Sequence, residues 1–245
     1  MTTYWPPGGS DDVIRQLRKR HLPDLEHVDV AGLLRNPALG RRAVVSSFGA
    51  ESAVLLHYIS RIAADIPVLF LDTGRHFKET LIYRDQLVME LGLDLHVVRP
   101  DPRLIAEEDA NATLWSRDPN MCCALRKTFP LQDALEGYDT WISGRKRYQA
   151  ETRSALPLIE RDGTHLKINP MALWTREDIV AYFERHVLPR HPLEALGYLS
   201  IGCAPCTRPV TGGEDLRAGR WAGTPEKTEC GIHLGPDGHF VRSGR

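Results

Sequence analysis

The sequence predicts an α/β fold, a doubly wound and mostly parallel sheet, followed by a flexible C-terminal tail. Three observations carry that reading. Short apolar runs at residues 42–46, 68–72, 94–98 and 139–143 read as buried strands and alternate with helical stretches, and such alternation dictates parallel pairing through helical crossovers. The stretch 51–64 repeats Val54, Leu55, Tyr58, Ile59 and Ile62 at helical spacing. From Thr211 the character changes: eight of the 20 glycines fall in the last 35 residues, with few apolar side chains among them, too little to build a core. Residues 1–210 are therefore expected to form one α/β domain and residues 211–245 a mobile tail.

Taken in order, residues 10–20 read as an amphipathic helix, and the chain to about residue 40 as short helical or irregular pieces. Strand 42–46 leads into Ser46-Ser47-Phe48-Gly49-Ala50-Glu51-Ser52 and the helix 51–64. Pro67 opens strand 68–72, which ends in Asp72-Thr73-Gly74; a helix over 77–91 follows, closed by Gly92. After strand 94–98 and a helix over 101–110, residues 122–135 are apolar at Leu125, Phe129, Leu131 and Leu135. Pro130 lacks an N–H and must interrupt or kink that helix. Strand 139–143 ends at Gly144. Residues 164–168 supply a fifth strand, preceded by an extended piece at 156–159, and Thr175-x-x-Asp178 is a capping box that opens a helix to 185. Ligands of doubly wound sheets bind outside the carboxyl ends of the strands. Three turns fall there: 46–52, 72–74 and 144–147.

Composition excludes several classes. The 31 Lys and Arg balance 32 Asp and Glu, which gives no global support for a nucleic-acid or membrane partner. No apolar run nears the ~18–20 residues of a membrane span, and Met1-Thr2-Thr3-Tyr4-Trp5-Pro6-Pro7 has neither the basic nor the apolar region of an export signal. A cytoplasmic protein is expected; a homo-oligomer is left open.

The five cysteines are more informative by arrangement than by number. Cys122 and Cys123 are adjacent, and Cys203-Ala204-Pro205-Cys206 is a CxxC turn. Two close pairs that meet in space supply four thiolates, the donor set of tetrahedral zinc or of an iron–sulfur cluster. Adjacent cysteines diverge, which a cluster with several irons tolerates better than one zinc ion. Small buried hydrophobes with a lone redox CxxC are the bland alternative. Cys230 is left over, in a polar, glycine-rich stretch where a core cysteine is out of place; His233 favours its thiolate and Glu229 opposes it.

The turn Ser46 to Ser52, between a strand and a helix, has the context of an anion site built from backbone N–H groups, although it is neither a Walker A loop nor GxGxxG. Arg145 and Arg147 follow a strand end, and Arg217 and Arg220 lie in the tail; arginine suits multidentate recognition of phosphate or sulfate. Lys127, four residues after Cys123, shares its helix face and can offset thiolate charge.

Together these segments resemble the assimilatory adenylyl-sulfate reductases of the adenylyl-sulfate/3'-phosphoadenylyl-sulfate reductase family. The matching pieces are the Ser46–Ser52 turn, Leu71-Asp72-Thr73-Gly74-Arg75-His76-Phe77, Cys122-Cys123-Ala124-Leu125-Arg126-Lys127, Ile142-Ser143-Gly144-Arg145-Lys146-Arg147, the CxxC turn and Glu229-Cys230-Gly231-Ile232-His233. The resemblance implies an adenine-nucleotide α-hydrolase-like core that binds adenosine 5'-phosphosulfate. Ser46, Ser47, Gly49, Ala50 and Glu51, with Leu71, Asp72, Thr73 and Gly74, would hold the nucleotide. Gly144, Arg145 or Arg147, Arg217, Arg220 and His233 would complete the substrate contacts. It implies a 4Fe-4S cluster on Cys122, Cys123, Cys203 and Cys206, with Lys127 between cluster and substrate. Cys230 would be the nucleophile, forming an S-sulfocysteine that thioredoxin or a similar dithiol donor resolves. The competing readings are the same reaction on the 3'-phosphorylated nucleotide, an iron–sulfur tRNA-thiolating enzyme, and a cluster-bearing redox sensor.

Overall fold

The computed structural model describes residues 9–22, 28–221, 223, 224, 227, 229, 231 and 232. Cys230 and His233 lie outside the described residues. In chain order the elements are α1 (Gly9–His21), α2 (Val30–Arg35), β1 (Arg42–Ser46), α3 (Ser52–Ile62), β2 (Val68–Leu71), α4 (Lys78–Leu91), β3 (Leu95–Val98), α5 (Pro102–Glu108), α6 (Leu114–Arg117), α7 (Pro119–Cys123), a π-helical turn (Ala124–Thr128), α8 (Phe129–Leu135), β4 (Thr140–Ser143), β5 (Ile159–Asp162), β6 (His165–Ile168) and α9 (Arg176–His186). No helix among the described residues is long and apolar enough to cross a membrane.

The strands form one sheet in the order β3-β2-β1-β4-β6-β5, parallel throughout except that β5 runs against β6. Alternation of side chains along each strand produces two buried faces. Val44, Phe70 and Ile142 point into a large core covered by α3, α4 and α9, whereas Ala43, Leu69, Leu71 and Trp141 meet Leu131 and Leu135 of α8 on the other face. This is the doubly wound sheet that the strand–helix alternation predicts. From β1 the chain winds outward through β2 to β3, then crosses to the other side of β1 to lay down β4. The carboxyl ends of β1 and β4 therefore flank the switch point, where a crevice must open.

Two local expectations are corrected. The extended piece expected at 156–159 begins at Ile159 and forms a hairpin with β6. Pro157 has no N–H for a ladder, and Gly163, at φ +61°, supplies the left-handed residue of the two-residue turn. The helix expected from Cys122 starts at Pro119, capped by Asp118, and reaches α8 through the π-helical turn. The wider turn sits directly ahead of Pro130 and its missing donor, and it carries Arg126 and Lys127. The tail beyond Thr211 has no helix or strand among its described residues, only a bridge between Arg220 and Thr207. Even so, Trp221 is buried.

Candidate active site

A cavity of about 230 Å³ opens at the switch point. One wall is the turn after β1. There the Ser46 hydroxyl accepts the Phe48 N–H (3.1 Å) and Gly49 C=O the Ser52 N–H (3.0 Å). Phe48 holds a left-handed φ of +49°, a strain of about 1–2 kcal/mol for a non-glycine residue. Complete burial of its ring, edge-on to Phe70 at 5.5 Å, offsets this by a similar or larger amount. The turn is thereby fixed, and Ser46, Ser47, Gly49, Ala50 and Glu51 all face the cavity.

Glu51 ties this wall to the segment after β4. Its carboxylate accepts bonds from Tyr148 Oη, Lys146 Nζ (2.9 Å) and Gln149 Nε2 (2.8 Å). Burial alone would raise the Glu51 carboxyl, but Lys146 and the two neutral donors hold it below its ordinary value. Gln149 in turn accepts from Lys146 N and from Arg153 Nη1 (2.6 Å). A hydrogen-bonded path thus runs from the foot of α3 to a guanidinium on the cavity wall.

Arg153 spends its Nε and Nη2 on Glu229, at 2.6 and 2.8 Å, and Arg217 Nη2 reaches the same carboxylate at 3.2 Å. Burial would raise the Glu229 carboxyl, yet Arg153 and then Arg217 hold it below its ordinary value. Arg145 also lines the cavity, paired with Glu160. Arg220 packs on Gly202, where a Cβ would lie 2.3 Å from Nη2, and over the Trp221 ring at 4.5 Å. Its Nε is buried without a hydrogen-bond partner among the described residues.

Behind the cavity stand the cysteines. Cys122, Cys123 and Cys203 are buried, and Cys206 is half-buried. The turn 203–206 is pinned to the loop after β2 by Ala204 N–H to Arg75 C=O (2.7 Å) and by Thr73 Oγ1 against Cys203 Sγ (3.3 Å). The Thr73 carbonyl is held by Arg126, which also pairs with the buried Asp109 at 2.6 Å. Burial pushes the Cys122 thiol up to about 12, and Cys123, Cys203 and Cys206 add to the rise. Burial would raise Cys203 too, but Lys127, the Thr73 hydroxyl and Arg220 bring it below its ordinary value. Four thiols close enough to oppose one another's ionisation, with two cations trained on one of them, are a donor set that a cationic centre would relieve. No three His, Cys, Asp or Glu among the described residues converge on a single metal ion. The chemistry of the donor set, four cysteine sulfurs from two chain segments, is of the kind that holds an iron–sulfur group.

Of the residues singled out from sequence, Ser46, Ser47, Gly49, Ala50, Glu51, Leu71, Lys127, Gly144, Arg145, Arg217 and Arg220 line the cavity. Asp72, Thr73, Gly74 and Arg147 do not. Asp72 pairs with Arg99, Thr73 serves Cys203, and Arg147 Nε bonds Leu156 C=O. His76, Lys146, Gln149, Arg153, Leu199 to Gly202 and Glu229 were not anticipated as lining residues. Arg153 was the most accessible of these, four residues after Gln149 in the same post-strand segment.

The family profile described as "Phosphoadenosine phosphosulfate reductase domain" matches residues 41–209, which hold the whole sheet and both cysteine pairs. The chain is 53% identical over 196 residues to the adenosine 5'-phosphosulfate reductase of Chelativorans sp. (strain BNC1), covering 80% of each chain. It is 44% identical over 227 residues to that of Streptomyces coelicolor, covering 90% of this chain and 94% of the relative. Among solved structures it is similar to the phosphoadenylyl-sulfate reductase from Candida auris in a phosphate complex, with a TM-score of 0.67, 26% identity, and coverage of 80% of this chain and 97% of the other. Candida glabrata FMN adenylyltransferase shares the fold at a TM-score of 0.54 and 16% identity, over 82% of this chain and 68% of the other.

Proposed function

Because the chain belongs to the phosphoadenosine phosphosulfate reductase family, as an adenosine 5'-phosphosulfate reductase acting on a sulfur group, we propose the following course for its reaction. The nucleotide lies in the switch-point cavity against the Ser46–Ser52 turn, its phosphosulfate toward Arg153, Arg217, Arg220 and Arg145. The Cys230 thiolate attacks the sulfate sulfur; the S–O bond to AMP breaks, and the electron pair leaves on the AMP phosphate, where the guanidiniums stabilise it. The product on the chain is S-sulfocysteine. A thiolate of an external dithiol, thioredoxin or a relative, attacks the Cys230 sulfur and expels sulfite. Its second thiol then frees Cys230, so the donor leaves as a disulfide and supplies both electrons. With the other four cysteines set aside for metal, no second thiol of this chain is available to do that work. The setting is cytoplasmic sulfate assimilation.

Cys122, Cys123, Cys203 and Cys206 would hold a 4Fe-4S cluster, which when bound supplies a local field that polarises the sulfate end of the substrate. Lys127 and Arg220 act on Cys203 and Cys206 and line the cavity, so they stand where they can address thiolate and substrate charge together. The observation that supports this reading most directly is the placement of the residues that follow Cys230: the Gly231 C=O accepts the Thr128 hydroxyl at 3.3 Å, and Ile232 lines the cavity.

The test is incubation with radiosulfur-labelled adenylyl sulfate without reductant. Wild type is expected to retain label covalently and release it as sulfite on adding thioredoxin. Label that persists on Cys230→Ser removes that residue as the nucleophile. Comparison of kcat/KM for the plain and 3'-phosphorylated nucleotides decides the substrate, and the identity to adenosine 5'-phosphosulfate reductases favours the former.

A further inference from the structure

We propose that Glu229 is an internal ligand of the anion site: its carboxylate occupies Arg153 and Arg217, and the phosphosulfate of the substrate must displace it to bind. The inference rests on the reading above that the cavity receives an anionic nucleotide. It concerns affinity rather than the chemical step.

The geometry is that of an occupied site. The Nε–Nη2 edge of a guanidinium is the face that takes two oxygens of a carboxylate, phosphate or sulfate in a bidentate fork. In Arg153 that edge is filled by Oε1 and Oε2 of Glu229, and Oε2 is shared with Arg217. A substrate oxygen cannot take the same two hydrogens while Glu229 holds them. Among the described residues, Glu51 and Glu229 are the acidic ones that line the cavity. The oxygens of Glu51 are spent on Lys146, Tyr148 and Gln149, so Glu229 is the carboxylate laid on the arginines. Glu160, the partner of Arg145, is not a lining residue.

Which partner yields follows from how each is held. Arg153 is 9% exposed and is anchored by Gln149, which is bonded to Glu51 at the foot of α3. Glu229 sits in a stretch with no helix or strand among its described residues. An incoming dianion therefore exchanges with Glu229 on a guanidinium that stays in place. A ligand whose site is filled in most molecules binds with its intrinsic affinity reduced by the open fraction. Removing the internal carboxylate should thus tighten anion binding, on the order of tenfold if about nine molecules in ten are occupied. A ligand without the anion should notice nothing.

The experiment measures equilibrium binding of adenylyl sulfate, inorganic sulfate and adenosine to the full chain in a Cys230→Ser background, which prevents turnover. It is repeated with Glu229→Gln or Glu229→Ala added. Glu90→Gln, which removes an exposed carboxylate from α4, controls for net charge. Both Glu229 variants are expected to bind adenylyl sulfate and sulfate about tenfold more tightly and adenosine unchanged. Unchanged or weaker anion binding with intact adenosine binding overturns the inference and leaves the functional reading standing. A gain equalled by Glu90→Gln overturns it as well. Failure of the Cys230→Ser parent to bind adenylyl sulfate strikes the functional reading, and this inference with it.

Discussion

Glu51 and Glu229 face the same cavity, each with a cation beside it, and the sequence treats them quite differently. Glu51 sits at the foot of α3, one turn beyond β1, and its donors Lys146, Tyr148 and Gln149 come from the segment after β4. Since β1 and β4 are hydrogen-bonded neighbours in register, both ends of that contact are set by the sheet before any side chain chooses a rotamer. Glu229 meets Arg153 across 76 positions of chain, and among the described residues it is side chains and a few turns that hold it there. One wall is therefore preorganised, and its charge pair is scaffold. The other is assembled from contacts that a competing anion can replace. Arg153 is where the two walls join.

The largest effect is expected at that join. Arg153→Ala removes the guanidinium that reaches Glu229 and, through Gln149, Glu51. Loss of a charge-assisted bidentate contact that strengthens as the leaving phosphate gains charge should lower kcat/KM by about a thousandfold, with a loss of folding stability of about 1–3 kcal/mol from the bonds to Gln149 and Glu229. Steady-state sulfite release checks the first part and a melting curve the second. A loss below tenfold would move the anion site away from this join.

Lys146→Met probes the preorganised wall alone. Lys146 Nζ is buried between Glu51 and the Gly144 carbonyl. Its loss leaves a largely buried carboxylate with two neutral donors, a change expected to cost about 3 kcal/mol of folding stability, read by urea denaturation. The matching loss for Arg217→Met, on the tail side, should be smaller, because Glu229 keeps both bonds to Arg153. Equal losses would dissolve the distinction between the walls.

The same contrast explains what could be read in advance. Strands β1, β2 and β4 bury both faces, so they announced themselves as apolar runs, and the parallel order followed from the helices between them. The Ser46–Ser52 turn was visible because it joins a strand to a helix, and the cysteine pairs because their spacing stands out in the sequence; the structure brings the four thiols near one another. After β4 the chain enters 3-10 turns at Arg147–Gln149 and Glu151–Arg153, which carry no hydrophobic period. There the expectation fell on Arg147, although Lys146 and Arg153 turn inward and Arg147 bonds a backbone carbonyl. Asp72-Thr73-Gly74 ends a strand at the correct edge of the sheet, but its polar atoms serve Arg99 and Cys203. That depends on where the CxxC turn lands, 130 residues later. Contacts between distant side chains leave no spacing in the sequence.

The last effect is a pH dependence, and it concerns the segment ahead of the CxxC turn. The chain from Pro189 to Cys203, which carries Leu199 to Gly202 to the cavity, is fastened to α4 by Tyr83 Oη to Pro189 C=O (2.8 Å) and by His191. The His191 ring is 1% exposed. Its Nδ1 accepts the Leu193 N–H at 3.2 Å, so the proton lies on Nε2, which faces Thr80 Oγ1 at 3.0 Å. Protonating Nδ1 would break the cap on the following turn. Burial pushes the imidazole down to about 4 from its ordinary 6.5, with Glu79 acting weakly in the other direction. A group that is neutral in the fold but basic in the unfolded chain contributes its full stability above pH 6.5. It loses that contribution as pH falls toward 4, because the unfolded state takes up the proton first. Between pH 7 and 5 the loss should reach roughly 2 kcal/mol. Urea midpoints across that range should slope for wild type and flatten for His191→Gln, whose amide keeps an acceptor but takes no proton. Parallel slopes would show that the fastening of this segment to α4 does not depend on this ring.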